Sequence, residues 1–128
     1  MENDRYAAMI RRVLSVPRIT EGCDMEGELK TLSMDEGLVA RQAAGAVLAD
    51  VREIGEFAEG HIPGAINIPL STLGPDVAVT LTDKSAPVFV YCRSGRRSQA
   101  AGEKLVSFGY SDVTNIGGIL DYAGELEK

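Results

Sequence analysis

The feature that most limits what this chain can fold into is a series of four short strand-like stretches, at 46–51, 65–68, 88–91 and 113–116, set between helical patterns and loops. Ala46-Val47-Leu48-Ala49-Asp50-Val51 is almost wholly apolar, as expected of a strand buried on both faces in a parallel sheet. Strands alternating with helices give an α/β domain with a mainly parallel sheet. Such sheets bind ligands at the carboxyl ends of their strands, which places the loops after Tyr91 and Ile116, and the stretch Asp50-Val51-Arg52, at the candidate site.

Local signals fill in the elements. Ser33-Met34-Asp35-Glu36 fits a capping box and predicts a helix from Met34 to Ala44. Glu53 to Glu59 allows one or two helical turns, and Gly60-His61-Ile62-Pro63-Gly64 is a loop. Between Ser71 and Ala86 the pattern is ambiguous: Gly74-Pro75 marks a turn, Asp76 can cap a short helix, and Thr80 to Ser85 reads as a polar surface approach. Ala101, Leu105 and Phe108 recur at helical spacing before Gly109, which predicts a helix from Arg97 to Phe108 with a glycine C-terminal cap. Gly117-Gly118 reads as a tight turn and Ile119 to Glu127 as a final helical stretch. At the other end, Asp4 to Leu14 carries one apolar stripe, a short amphipathic helix that packs on the domain or, as alternatives, forms a dimer contact or lies on a membrane surface. Residues 15–28 read as a linker. The expected division is therefore an N-terminal extension, 1–29, and a domain, 30–128.

Bulk properties exclude several classes. No apolar stretch approaches the roughly 20 residues of a membrane span, and the first residues lack a secretory signal's apolar core, which points to the cytoplasm. The net charge of −6 argues against nucleic acid, whereas the local cluster Arg93, Arg96 and Arg97 suits a small anion. Cys23 and Cys92 read as free thiols. One histidine and no Cys-x-x-Cys leave no basis for a metal site.

The chemistry concentrates in Cys92-Arg93-Ser94-Gly95-Arg96-Arg97-Ser98. A thiol between a strand and a helix N-terminus faces backbone N–H groups and the positive end of the helix dipole, which lowers its pKa. Gly95 permits the positive φ that curls successive N–H groups into an anion nest. A solvated basic turn beside an inert buried cysteine is the plainer alternative. Loop length separates two reaction classes. Cysteine phosphatases place five residues between cysteine and arginine, whereas four lie between Cys92 and Arg97. The smaller cradle suits a single extra sulfur atom, a persulfide, more than a tetrahedral phosphate.

With Asp50-Val51-Arg52, Glu56-Phe57, Gly60 through Leu70, Tyr91 through Ser98, Gly109-Tyr110 and Gly117-Gly118-Ile119 in this order and spacing, the chain resembles a single-domain rhodanese, of the thiosulfate sulfurtransferase family. The resemblance implies an α/β fold with a five-stranded, mostly parallel central sheet flanked by helices on both faces. It implies a six-residue active loop, no cofactor, and a ping-pong cycle in which Cys92 takes sulfur from a donor anion such as thiosulfate and passes it to cyanide, a thiol or a protein acceptor. Cys92 is then the nucleophile, and Arg93, Ser94, Gly95, Arg96, Arg97 and Ser98 the substrate-binding loop, with the arginines as donor-anion candidates. Asp50, Arg52, Glu56 and His61 support the fold, with Arg52 expected to pair with Glu56 and His61 to shape its turn rather than act as a base. The assembly is a monomer or homodimer. Tyr122 departs from the family pattern, which has a tryptophan after Gly-Gly-Ile. A protein-interaction or sulfur-relay module is the alternative function, and a phosphatase or arsenate reductase is disfavoured by loop length.

Overall fold

A computed structural model describes residues 28–128; the expected helix at 4–14 and Cys23 lie outside them. Five strands, β1 (Lys30–Thr31), β2 (Val47–Asp50), β3 (Ile66–Asn67), β4 (Val88–Cys92) and β5 (Val113–Gly118), form one sheet in the order β1-β5-β4-β2-β3. All four pairings are parallel. The α/β architecture is therefore as the sequence predicts. β1 escaped the pattern because Lys30 and Thr31 form no apolar run; the sheet edge holds them by pairing them with Thr114 and Asn115.

Among the described residues three α-helices accompany the sheet: α1 (Met34–Ala44), α2 (Ile54–Glu59) and α3 (Arg96–Ser107). β4 explains how they are arranged. Its five residues are all buried and point alternately to the two faces. Val88, Val90 and Cys92 join a core with Ala101 and Leu105 of α3. Phe89 and Tyr91 join the opposite core with Met34 and Ala40 of α1. Helices thus cover both faces, and apolar alternation along one strand decides which helix lies where.

The ends of the helices follow their local signals. At α1 the Ser33 hydroxyl accepts from the Glu36 N–H at 3.1 Å and the Glu36 carboxylate accepts from the Ser33 N–H, completing the capping box. At α3 the N–H of Tyr110 bonds the carbonyl of Leu105 and that of Gly109 the carbonyl of Val106, a Schellman closure one residue earlier than the expected helix end. The ambiguous region holds two short 3-10 helices, Leu70–Thr72 and Pro75–Val79, in which Asp76 lies inside the first turn rather than capping it. Leu73, Val77 and Leu81 anchor this region in the α3-side core.

Two expectations near the carboxyl end are corrected. Gly117 and Gly118 are not a tight turn; β5 runs through both, and Cys92 faces Gly118 across a register shift that follows Val90. Ile119 to Glu127 is not a helix beyond a 3-10 turn at Ile119–Asp121. The chain instead crosses to the loop after α2, where Glu127 exchanges two backbone hydrogen bonds with His61, at 2.9 and 2.7 Å. These paired peptide groups outweigh the weak helical pattern of a short, acidic segment. No helix among the described residues is long and apolar enough to cross a membrane.

Two of the three helical glycines, Gly37 of α1 and Gly55 of α2, make a signed test of this packing. A Cβ on Gly37 would enter the Ile116 side chain, whereas one on Gly55 meets nothing within 4 Å. Gly37→Ala should therefore lower stability by about 1–3 kcal/mol through overpacking. Gly55→Ala should raise it by about 0.5–1 kcal/mol through helix propensity. Chemical denaturation midpoints measure both, and equal signs would contradict the packing described.

Candidate active site

The end of β4 delivers Cys92 to the carboxyl edge of the sheet, where the next residues turn into α3. Gly95 makes that turn at φ 103°, a left-handed conformation open to glycine at little cost. Its N–H then donates to the Cys92 Sγ at 3.0 Å, while its carbonyl accepts from the Gln99 N–H at 3.1 Å to start the helix. Gly118 completes the loop from beneath. A Cβ there would overlap the Arg93 carbonyl, and Leu120 donates its N–H to the same carbonyl at 3.2 Å.

Cys92 is 1% exposed. Burial alone pushes its thiol up, yet its pKa lies below the ordinary value because the Ser98 hydroxyl and the N–H groups of Ser98, Gly95 and Ser94 donate to the sulfur. Hydrogen bonds from the turn are thus the principal stabilisers of the thiolate. Arginine charge is not among the largest contributions.

The three arginines take different positions. Arg93 and Arg96 are exposed beside the thiol. Arg97 is half-buried and gives Glu56 a two-pronged bond, Nη1 to Oε1 at 2.8 Å and Nη2 to Oε2 at 2.9 Å. The Arg97 hydrogen bonds hold the Glu56 carboxyl down to about 2, and Glu56 in turn raises the Arg97 pKa, assisted by the charge of Cys92. The expected Arg52–Glu56 pair is therefore corrected. Glu56 of α2 reaches across to α3, a partner 41 residues away, while Arg52 turns back to Asp50.

Asp50 is completely buried, and its carboxylate accepts from the Arg52 N–H at 2.9 Å and from the guanidinium at 2.7–3.1 Å. Arg52 also donates to the Gly60 carbonyl at 2.7 Å, which ties the end of β2 to the loop after α2. Burial opposes the charge of Arg52, but Asp50 raises its pKa above the ordinary value. Both groups are spent on each other. His61 stacks on Phe57 with ring centroids 3.7 Å apart, and its Nδ1 lies 2.9 Å from the Phe57 carbonyl. It is thus engaged with α2 and the terminal bridge.

The sequence reading missed two polar groups that build the site. Asn115 of β5 bonds the Ser98 hydroxyl, the Gly95 carbonyl and the Gly117 N–H. Its signal was a buried amide in an otherwise apolar strand context. Tyr91 uses its buried hydroxyl to accept the Ile62 N–H at 3.0 Å, fixing the loop that precedes β3. Among the described residues no group of histidine, cysteine, aspartate and glutamate side chains is arranged to hold a metal.

Residues 28–125 match the family model described as "Rhodanese-like domain". The thiosulfate sulfurtransferase PspE of Escherichia coli is 43% identical over 74 residues, 58% of this chain and 71% of that protein. The thiosulfate sulfurtransferase GlpE of Pseudomonas putida is 35% identical over 91 residues, covering 71% and 81%. Among solved structures, a rhodanese with anions from E. coli superposes with a TM-score of 0.60 at 40% identity, covering 65% of this chain and 98% of that one. The human single-domain sulfurtransferase TSTD1 gives 0.59 at 31% identity, covering 73% and 97%.

Two measurements test the electrostatics. The rate of iodoacetamide alkylation of Cys92 against pH should show a midpoint below that of a free cysteine, and a midpoint at the free value would contradict the hydrogen bonding described. For Glu56 the folded pKa is depressed, so its pairing contributes stability fully above the ordinary carboxylate range and loses it as pH falls toward about 2. Glu56→Gln should flatten that acid limb in a series of denaturation curves at falling pH.

Proposed function

The chain belongs to the rhodanese-like domain family and is a rhodanese-type sulfurtransferase; we propose that it works through a persulfide on Cys92, loaded from a small anionic donor such as thiosulfate. The observation that carries this reading is the Gly95 N–H donating to the Cys92 Sγ at 3.0 Å inside a turn that also presents the Ser94 and Ser98 N–H groups. In the first half-reaction the Cys92 thiolate attacks the outer sulfur of the donor, a sulfur–sulfur bond forms to Cys92, and the donor's own sulfur–sulfur bond breaks as sulfite leaves with the electron pair. In the second, a thiol, cyanide or protein acceptor attacks the outer sulfur and Cys92 leaves as the thiolate.

Each part of the turn has a task in this cycle. The N–H groups stabilise negative charge on the outer sulfur of the persulfide, and on Cys92 when it departs. Since the thiolate is already favoured, no general base is required. Arg93 and Arg96, exposed at the mouth, draw in the anionic donor, and Arg97 acts through its bond to Glu56 by fixing α3 against α2. The transferase unit is assigned to residues 30–128, with 1–29 as an extension. The relatives named thiosulfate sulfurtransferases, and the E. coli rhodanese solved with anions, support a donor of this charge and kind.

Incubation with thiosulfate, followed by intact-mass measurement, should add about one sulfur atom to the chain, and Cys92→Ser should abolish the addition. No adduct with thiosulfate, polysulfide or a low-molecular-weight persulfide would overturn the proposal. Arg93→Ala and Arg96→Ala should raise KM for thiosulfate while leaving kcat within a few fold, because they act on capture of the donor.

A further inference from the structure

Beside the active turn, α2 and the segment after β5 enclose a groove of about 350 Å³, at the lower end of the range for ligand sites. The groove reaches the turn itself. Leu120, in its wall, gives its N–H to the Arg93 carbonyl, and Glu56, contributed by α2, holds Arg97. At the loop after α2, Leu126 packs so closely over Gly60 that a Cβ there would lie 3.0 Å from the leucine Cδ1. Between them Tyr122 lines the groove and donates its hydroxyl to the Glu125 carbonyl at 3.0 Å, while the backbone pair of Glu127 with His61 pins the end of the segment. The wall is therefore ordered before any ligand arrives, which lowers the entropic cost of binding.

Its lining points to one kind of occupant. Leu120 is 64% exposed and Leu126 47%, so apolar surface stands uncovered along the wall. Of the charged residues in the lining, Arg52 is paired with Asp50 and Glu56 with Arg97, whereas Glu59 has no ion pair among the described residues. The charge left over in the groove is negative, opposite in sign to Arg93 and Arg96 on the turn, and the exposed Asp121 and Glu125 of the wall segment add to it. An anionic donor is drawn to the arginines and repelled from the groove. A second copy of the chain, with its net charge of −6, is a poor electrostatic match. We propose that the groove docks the protein that accepts the sulfur, through a segment in which an apolar side chain and a lysine or arginine flank the acceptor cysteine. The apolar side chain lies against Leu120, Tyr122 and Leu126, and the cation meets Glu59. From there the acceptor thiolate attacks the outer sulfur of the Cys92 persulfide and forms the new sulfur–sulfur bond, while Cys92 leaves with the electron pair of the old one. Donor and acceptor thus approach the same sulfur over surfaces of opposite charge.

This inference rests on the reading of Cys92 as the sulfur carrier, and its test separates docking from transfer. Docking to the full chain is read by fluorescence anisotropy of short dye-labelled peptides in which serine replaces the cysteine. Transfer is read with the cysteine forms on the thiosulfate-loaded chain, with cyanide as an acceptor too small to use the groove. A peptide with leucine and lysine beside the central residue should bind more tightly than one with glutamate for lysine or serine for leucine, and its cysteine form should accept sulfur with the higher kcat/KM. Glu59→Lys sets a cation at the carboxyl end of α2, which suits the helix dipole and keeps the fold. It should weaken the lysine peptide roughly three- to tenfold and strengthen the glutamate peptide. Leu126→Ser should weaken the leucine peptide about threefold or more by removing apolar contact. Cyanide transfer should be unchanged in both variants. Failure of thiosulfate to load Cys92 would strike the sulfur-carrier reading alone, since the anisotropy ranking needs no chemistry. Equal binding of the lysine and glutamate peptides, a ranking unmoved by Glu59→Lys, or an equal fall in cyanide transfer would overturn the docking proposal. A dimer that Leu126→Ser dissociates would assign the groove to a second copy and overturn it as well.

Discussion

The close approach of β5 to the loop after β4 is the constraint on which the rest of the site depends. Gly118 has no room for a side chain because the Arg93 carbonyl occupies that space, and a Cβ on Gly95 would sit 3.3 Å from the Gly117 Cα. Backbone therefore lies directly on backbone. The Leu120 N–H takes the Arg93 carbonyl, which points that carbonyl away from the sulfur and leaves the cradle lined by N–H groups. The register shift after Val90 belongs to the same arrangement, since it sets Cys92 opposite Gly118. A larger residue at the end of β5 would push the turn outward and open the N–H cradle.

Around this contact the charged side chains are sorted by depth. Asp50 and Arg52, which lie at the end of the neighbouring strand, satisfy each other and the Gly60 carbonyl in a buried cluster. Such a pair contributes little net stability once desolvation is counted, but losing one partner would strand the other. Nearer the surface, Glu56 and Arg97 are each about one-third exposed, so water screens them and the pair serves orientation more than energy. It joins α2 to α3 beside the thiol. Arg93 and Arg96 are left facing solvent, and positive charge at the mouth of the site comes from them.

The sequence disclosed what is written in local patterns. The four strand-like stretches marked four strands, the Ser33 to Glu36 capping box marked α1, and the strand, cysteine and glycine-bearing turn placed Cys92 at the sheet edge before α3. What stayed hidden depends on contacts between distant residues. β1 exists because Thr114 and Asn115 offer it an edge, and the terminal segment is extended because His61 offers it a backbone partner. The pairing of Arg52 with Glu56 was expected from the family resemblance; Asp50 and Arg97 are better placed in space and take both. Asn115 was visible only as an amide in an apolar strand, since its meaning lies in Ser98, Gly95 and Gly117 together.

The division between backbone dipoles inside and arginines outside has a consequence for how reactivity and capture are controlled. The N–H groups around Cys92 are fixed by the start of α3 and by the packing on β5, and they act at hydrogen-bond distance, far inside the range over which salt screens. The exposed arginines act across solvent, where their field decays over about 8 Å at physiological ionic strength. In the proposed cycle, salt therefore weakens the encounter with an anionic donor while leaving the thiolate's stabilisation nearly constant. A sulfur carrier gains from that separation. Its affinity for donor anions follows the surrounding solution, and the balance between attack and departure at Cys92 is kept by neutral groups built into the fold.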